Sequence, residues 1–327
     1  MLGSLRSPRP DVGRESSHDH AMHVVILERN KLVGRKVARL FMATGASAVT
    51  LEEPGAVGDA LDGADVLCAD TFDGDIVAEH VRMRPGLRGV LWTAEPLRRS
   101  LRYLVESGGI NHVLGRRDFE SPPRAWELTM LARRLDGAPT PPLGAYLDWG
   151  FSQLDIDVRA TADRDAAAAL IQDFVGALGV PRRISEMFAE LGHELIMNAM
   201  YDAPVDAFGR VKYAADRKAD IVLADHERPE MRIATDGTRL ALQIRDPFGR
   251  LERSHVVDGL ARGLAGGELD RSHGGAGLGM MVCHNASSAL FFDVVAHRQT
   301  EVTALFELDV NLRELRTQAK SLHFWRQ

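Results

Sequence analysis

Five short apolar runs, separated by helical stretches, constrain the N-terminal part of this chain more than any other feature. They are His23-Val-Val-Ile-Leu-Glu28, Ala46 to Leu51, Ala64-Asp-Val-Leu-Cys-Ala-Asp70, Leu87-Arg-Gly-Val-Leu-Trp-Thr-Ala94 and Asn111-His-Val-Leu-Gly-Arg116. A helical stretch from Lys31 to Thr44 follows the first run, and a short helix precedes the third. Strands alternating with helices build a parallel, doubly wound sheet. Functional residues in such sheets gather at the carboxyl ends of the strands. Here those ends carry Glu28, Asp70, Thr93 and Arg116.

The C-terminal half reads differently. Ile184, Met187, Phe188, Leu191 and Leu195 fall at helical spacing and make one apolar stripe between Ile184 and Tyr201. Residues four apart lie about 40° from one another around a helix, so Glu190, Glu194 and Asn198 form a row along the flank of that stripe. A carboxylate one turn from an amide suits joint work on a metal-bound phosphate, with the amide oxygen on Mg²⁺ and the carboxylate activating a nucleophile. Exposed glutamates on a helix face are also the ordinary case. His193 lies off the stripe, and no second histidine follows at zinc-protease spacing.

Two further features follow in order. Leu240, Leu242 and Ile244 alternate with smaller or polar residues after the turn signal Asp236-Gly237, predicting a hairpin whose second strand ends at Asp246-Pro-Phe-Gly249. A carboxylate at that strand end can accept a hydrogen bond from an exocyclic amine such as that of adenine. Then Ser272-His-Gly-Gly-Ala-Gly-Leu-Gly-Met280 runs into the apolar stretch Met280-Met-Val-Cys283. Glycines let a backbone approach phosphates closely, and a helix N-terminus offers free N–H groups.

From about Arg164 to Asp309 the chain resembles the GHKL ATPase superfamily, and within it the anti-sigma-factor serine kinases, whose domain opens with a helix such as 165–181. The resemblance implies an α/β two-layer sandwich that binds ATP and Mg²⁺. It makes Glu194 the general base, Asn198 the Mg²⁺ ligand, and Asp246 with Gly249 the adenine site. Gly275, Gly277, Leu278 and Gly279 cover the phosphates. Glu194 would deprotonate a Ser or Thr hydroxyl on a regulatory protein partner, of sigma-factor or anti-anti-sigma type. The alternative is a nucleotide-gated module that sequesters its partner without catalysis. The first glycine box departs from the family pattern at Pro247-Phe248, and the lid segment, Asp258 to Gly267, has no lysine.

Residues His23 to Asp136 resemble a two-component receiver domain, a flavodoxin-like fold. That places Asp70 at the phosphoacceptor position, Thr93 at the switch hydroxyl and Arg116 where the family has a phosphate-pairing lysine. The acidic pair that binds Mg²⁺ is reduced to Glu28 beside Arg29, and a cation there opposes a metal. The expected module is a degenerate receiver used for binding or dimerisation.

The 327-residue chain suffices for two domains. We expect a tail over 1–21, a receiver-like domain over 22–136, a linker over 137–160, the ATP-binding domain over 161–312 and a second tail over 313–327. The linker opens on Gly137-Ala-Pro-Thr-Pro-Pro-Leu-Gly144, and its aromatics, Tyr146, Trp149 and Phe151, suit local packing or a homodimer contact. A net charge of −6 without a basic block argues against nucleic acid. No apolar run has membrane-spanning length. Cys68 and Cys283 sit in apolar runs, as buried thiols of a cytoplasmic protein do.

Overall fold

The apolar runs of the first half form β1 (His23–Leu27), β2 (Ser47–Leu51), β3 (Val66–Asp70), β4 (Arg88–Thr93) and β5 (Ile110–Gly115). Between them lie α1 (Lys31–Met42), α2 (Val57–Ala60), α3 (Gly74–Met83) and α4 (Leu97–Glu106), and α5 (Ala125–Leu135) follows. This computed structural model describes residues 21–264, 276–309 and 312–327. All five strands are parallel, in the order β2-β1-β3-β4-β5, the flavodoxin-like doubly wound arrangement. Strands covered on both faces carry continuous apolar runs, and every residue of β3 is buried. Val33, Val37, Phe41, Leu128 and Leu131 of α1 and α5 pack with Ile26 and Trp92. Val77, Val81, Leu101 and Leu104 of α3 and α4 belong to the core of Val25, Leu67 and Leu91. Asn30 starts α1 by accepting from the backbone N–H groups of Leu32 and Val33.

The second half continues the same sheet. Its elements are β6 (Ser152–Asp157), α6 (Asp163–Gly176), α7 (Arg182–Met197), β7 (Glu230–Thr235), β8 (Arg239–Asp246) and α8 (Arg253–Leu264), then α9 (Ala276–Asn285), β9 (Ala289–Val295), β10 (Gln299–Glu307), α10 (Leu312–Thr317) and β11 (Ser321–Arg326). Strands β6-β7-β8-β10-β9 pair antiparallel throughout. β11 runs parallel to β9 and antiparallel to β5, closing one 11-stranded sheet across both halves. Of the predicted stripe of α7, Ile184, Phe188, Leu191 and Leu195 are buried in this half's core, and Met187 packs against it partly exposed. Phe188 meets Phe306 of β10 edge-on, with ring centroids 5.6 Å apart. A separate core of Leu143, Tyr146 and Leu147 with Ala234, Ala241, Phe291 and Leu305 also takes in Trp126 and Met130 of α5.

Two stretches, one expected to be a linker and one a tail, are structural. The stretch 137–160 contributes Leu143, Tyr146 and Leu147 to that core and the edge strand β6. Of its aromatics, Tyr146 is buried while Trp149 stands in solvent. The stretch 313–327 supplies most of α10 and all of β11, the strand that joins the two halves. Strand β11 is short and carries Ser321, His323 and Arg326, so its sequence lacks a continuous apolar run. Its polar groups find partners at the seam: His323 Nε2 bonds buried Glu127 at 2.8 Å. Burial opposes ionisation of Glu127, yet the bond from His323 and the charge of Arg124 hold its carboxyl below the usual range. The N-terminal tail, apart from Ala21, lies outside the described residues.

Candidate functional site

Past Met197 the α7 helix widens into a π turn, Asn198–Asp202, closed by a 3.0 Å bond from Ala203 N to Asn198 O. Such turns recur where a helix must re-aim side chains. Here Asn198 and Asp202 meet on one guanidinium. Arg217 Nη2 donates to Asn198 Oδ1 at 3.0 Å and also bonds Asp202 Oδ2. Arg250 Nη1 donates to the Asp202 carbonyl at 2.9 Å.

Strand β8 delivers Asp246 to the same place. Its carboxylate is buried, and it accepts from Phe248 N at 2.9 Å. Thr300 of β10 pairs with it across the ladder. Burial, only partly offset by these bonds, raises the Asp246 pKa to about 6. Gly249 follows at φ +65°, and a methyl group there would lie 2.0 Å from the Val295 carbonyl oxygen. Glycine is required there by the close approach of the β9–β10 turn.

A cavity of about 330 Å³ opens among these elements, within the size range of small-molecule sites. Leu195, Ile244, Met280 and Phe292 form much of its apolar wall, and Asn198, Asp202, Asp246 and Thr300 its polar one. Arg250 and Arg262 add positive charge. Glu194 does not line it. Its carboxylate lies instead against the start of α9, where a methyl group on Gly279 would sit 2.4 Å from Glu194 Oε2. Gly277 and Leu278 belong to the first turn of α9, and Gly275 lies outside the described residues. The expected lid is helical as far as Leu264, within α8, and residues 265–267 are not described. Cys283 lines the cavity and Cys68 lies in the N-terminal sheet; both are free and buried, and burial pushes both thiols up.

Asn198, Asp246 and the α9 residues Met280 and Cys283 are therefore brought together around the cavity, while Glu194 and Gly279 meet each other outside its lining. Sequence reasoning missed Arg217, which comes from an irregular polar segment without periodicity. Asn198 Oδ1, the atom the resemblance gives to Mg²⁺, is already held by that guanidinium. Among the described residues no group of three or more His, Cys, Asp and Glu side chains is arranged to hold a metal. As the side chains stand, Asn198 Oδ1 and Asp202 Oδ2 both face the Arg217 guanidinium, whose charge opposes a metal ion beside them.

The N-terminal strand ends form a second cluster. Arg116 Nη1 bonds Glu28 Oε2 at 3.0 Å and its Nη2 bonds Asp70 Oδ2 at 2.7 Å, with all three side chains buried. Trp92 Nε1 donates to the same Glu28 oxygen at 3.0 Å. Burial raises the Asp70 pKa, and Arg116 opposes that rise. The hydroxyl of Thr71 donates to that of Thr93 at 3.1 Å. Arg29, expected among the acids, turns outward to pair with Asp73 at 2.6 Å, a partner the sequence did not suggest.

No protein-family model and no curated protein matches the chain. Solved structures align with about a third of it. A protein assigned to pilus assembly (cpaE) from Burkholderia thailandensis E264 is 18% identical with a TM-score of 0.30, over 36% of this chain and 99% of that one. A response regulator receiver domain protein from Clostridium thermocellum is 14% identical with a TM-score of 0.30, over 35% of this chain and 93% of that one. The BeF3-activated DrrB receiver domain is 14% identical with a TM-score of 0.32, over 36% of this chain and all of that one.

Proposed function

We propose that this chain is a signalling regulator whose C-terminal half binds an adenine nucleotide in the manner of GHKL ATPases. The observation that supports it is the convergence of Asn198, Asp246 and the α9 residues Met280 and Cys283 on one cavity. A mixed sheet with α7 and α9 beside the cavity accords with that fold. Ionised Asp246 accepts the exocyclic amine of adenine, and Ile244, Met280 and Phe292 line the base. The phosphates extend toward Arg250, Arg262 and the start of α9, whose N–H groups favour anions.

Binding without phosphoryl transfer is the better reading. Glu194 would have to leave Gly279 and enter the cavity before it could act as a base. The receiver-like half points the same way, because Arg116 already neutralises Asp70, the candidate phosphoacceptor. The nucleotide then gates capture of a regulatory protein partner of sigma-factor or anti-anti-sigma type. Calorimetry with ATP at pH 7.5 tests this on the full chain and on Asp246→Asn. Micromolar affinity that falls at least tenfold in the variant is expected. An absence of binding, or equal affinity in both proteins, refutes the nucleotide site.

A further inference from the structure

We infer that the guanidinium of Arg217 replaces the divalent cation in this cavity, so that nucleotide binds without Mg²⁺. This rests on the nucleotide reading above and specifies how that site neutralises phosphate charge. Asn198 Oδ1 accepts from Arg217 Nη2 at 3.0 Å, and the same nitrogen bonds Asp202 Oδ2. A magnesium ion ligated by that oxygen would stand roughly 2.1 Å from it. The amide oxygen keeps a second lone pair, but an ion on it would stand within about 5 Å of the guanidinium. Asp202, which could offset that repulsion, is already paired with Arg217, so Arg217 in this position opposes a metal.

The local structure holds Arg217 where it is. The π turn brings Asn198 and Asp202 to the same guanidinium, and both face the cavity. Arg250, bonded to the Asp202 carbonyl at 2.9 Å, steadies the turn from the opposite strand end. Nη2 makes both of these bonds, so they leave Nη1 and Nε of Arg217 unused; Arg217 does not itself line the cavity, and phosphate would reach it beside Asn198 and Asp202, which do. A guanidinium presents its N–H groups as a planar fork that matches phosphate. With Arg250 and Arg262, which line the cavity, Arg217 sets three guanidinium groups against the two carboxylates of Asp202 and Asp246. The positive excess is fixed in the protein and does not depend on a mobile ion.

The test is calorimetric titration of the full chain with ATP, in excess EDTA and in millimolar Mg²⁺. It compares wild type, Arg217→Gln and Arg217→Lys. Wild-type affinity should change less than about threefold between the two buffers. Arg217→Gln should lose at least tenfold in EDTA and recover when Mg²⁺ is added, because Asn198 is then free to ligate. Arg217→Lys keeps a cation and should stay close to wild type in EDTA. Wild-type binding that appears only with Mg²⁺ overturns the inference while leaving the nucleotide site standing. Unchanged affinity of Arg217→Gln in EDTA also overturns it. No ATP binding in either buffer overturns both. The wild-type comparison decides the matter even if a variant fails to fold.

Discussion

Asp246→Asn should make the protein more stable at neutral pH while removing its affinity for ATP. The wild-type carboxyl has its pKa raised from 3.8 to about 6 by burial. The folded chain therefore holds this proton more tightly than the unfolded chain does. The stability from that preference is full below about pH 3.8, declines as the pH rises, and is lost above about pH 6. Keeping the group ionised at pH 7 costs the fold about 3 kcal/mol. Asparagine removes the charge and keeps an oxygen for the Phe248 N–H, now 2.9 Å from Asp246 Oδ1. Its amide N–H groups face the cavity, and their imperfect pairing takes back about 1–2 kcal/mol. The net gain is then about 1–2 kcal/mol, or roughly 2–3 °C in a chain of this length. Urea unfolding of both proteins at half-unit steps from pH 4 to pH 8 measures it. The variant's advantage should be greatest above pH 6.5 and shrink towards pH 4. A variant less stable than wild type at pH 7.5, or an advantage independent of pH, refutes the account of Asp246 as a buried, costly carboxylate. Wild-type affinity for ATP should also weaken below pH 6, approaching tenfold per unit, as the acceptor is protonated.

Two substitutions test the frame around the site. Gly249→Ala places a methyl group 2.0 Å from the Val295 carbonyl at φ +65° and should cost more than about 2 kcal/mol by chemical denaturation. Gly137→Ala, at φ +93° with no atom within 4 Å of the added methyl group, should cost only about 1 kcal/mol; equal losses would remove the steric argument. Arg134→Ala leaves Asp293 buried without its guanidinium, now 2.6 Å away, and should destabilise by about 3–5 kcal/mol. In the double variant Arg134→Met, Asp293→Leu most of that loss should disappear, and additive losses would show that the pair is not coupled.

The sequence was legible where burial imposes a period and opaque where one contact decides. Strands β1, β3, β4 and β5 appear as apolar runs because helices cover both of their faces. Strand β6 shows only Leu154 and Ile156 between Ser, Gln and Asp residues, since it forms the sheet's edge and much of it meets solvent. A proline- and glycine-rich approach hid it further. Strand β11 is buried yet includes Ser321 and His323, whose polarity is matched by Glu127 and other groups far away in sequence. No local pattern records such a partner. At the site, Asn198 and Asp246 could be read from residue type and order, because one ends a striped helix and the other an alternating strand.

Arginine 217 could not be read in that way, and neither could the role of Arg116. Both sites share a device that only the folded chain reveals. At each, oxygens that the family resemblances assign to phosphate or metal chemistry, those of Glu28, Asp70 and Asn198, are held by a guanidinium of the protein itself. Arg116 takes Glu28 and Asp70, and Arg217 takes Asn198 and Asp202. Arg116 bonds its two acceptors through separate nitrogens of a planar fork, a geometry a lysine ammonium does not impose, whereas Arg217 bonds both of its acceptors through Nη2. Carboxylates already paired in this way have less negative charge with which to draw a divalent ion out of water. Under the proposed function, the same guanidinium pairing in two halves of one sheet suits holding a bound state rather than turning phosphate over.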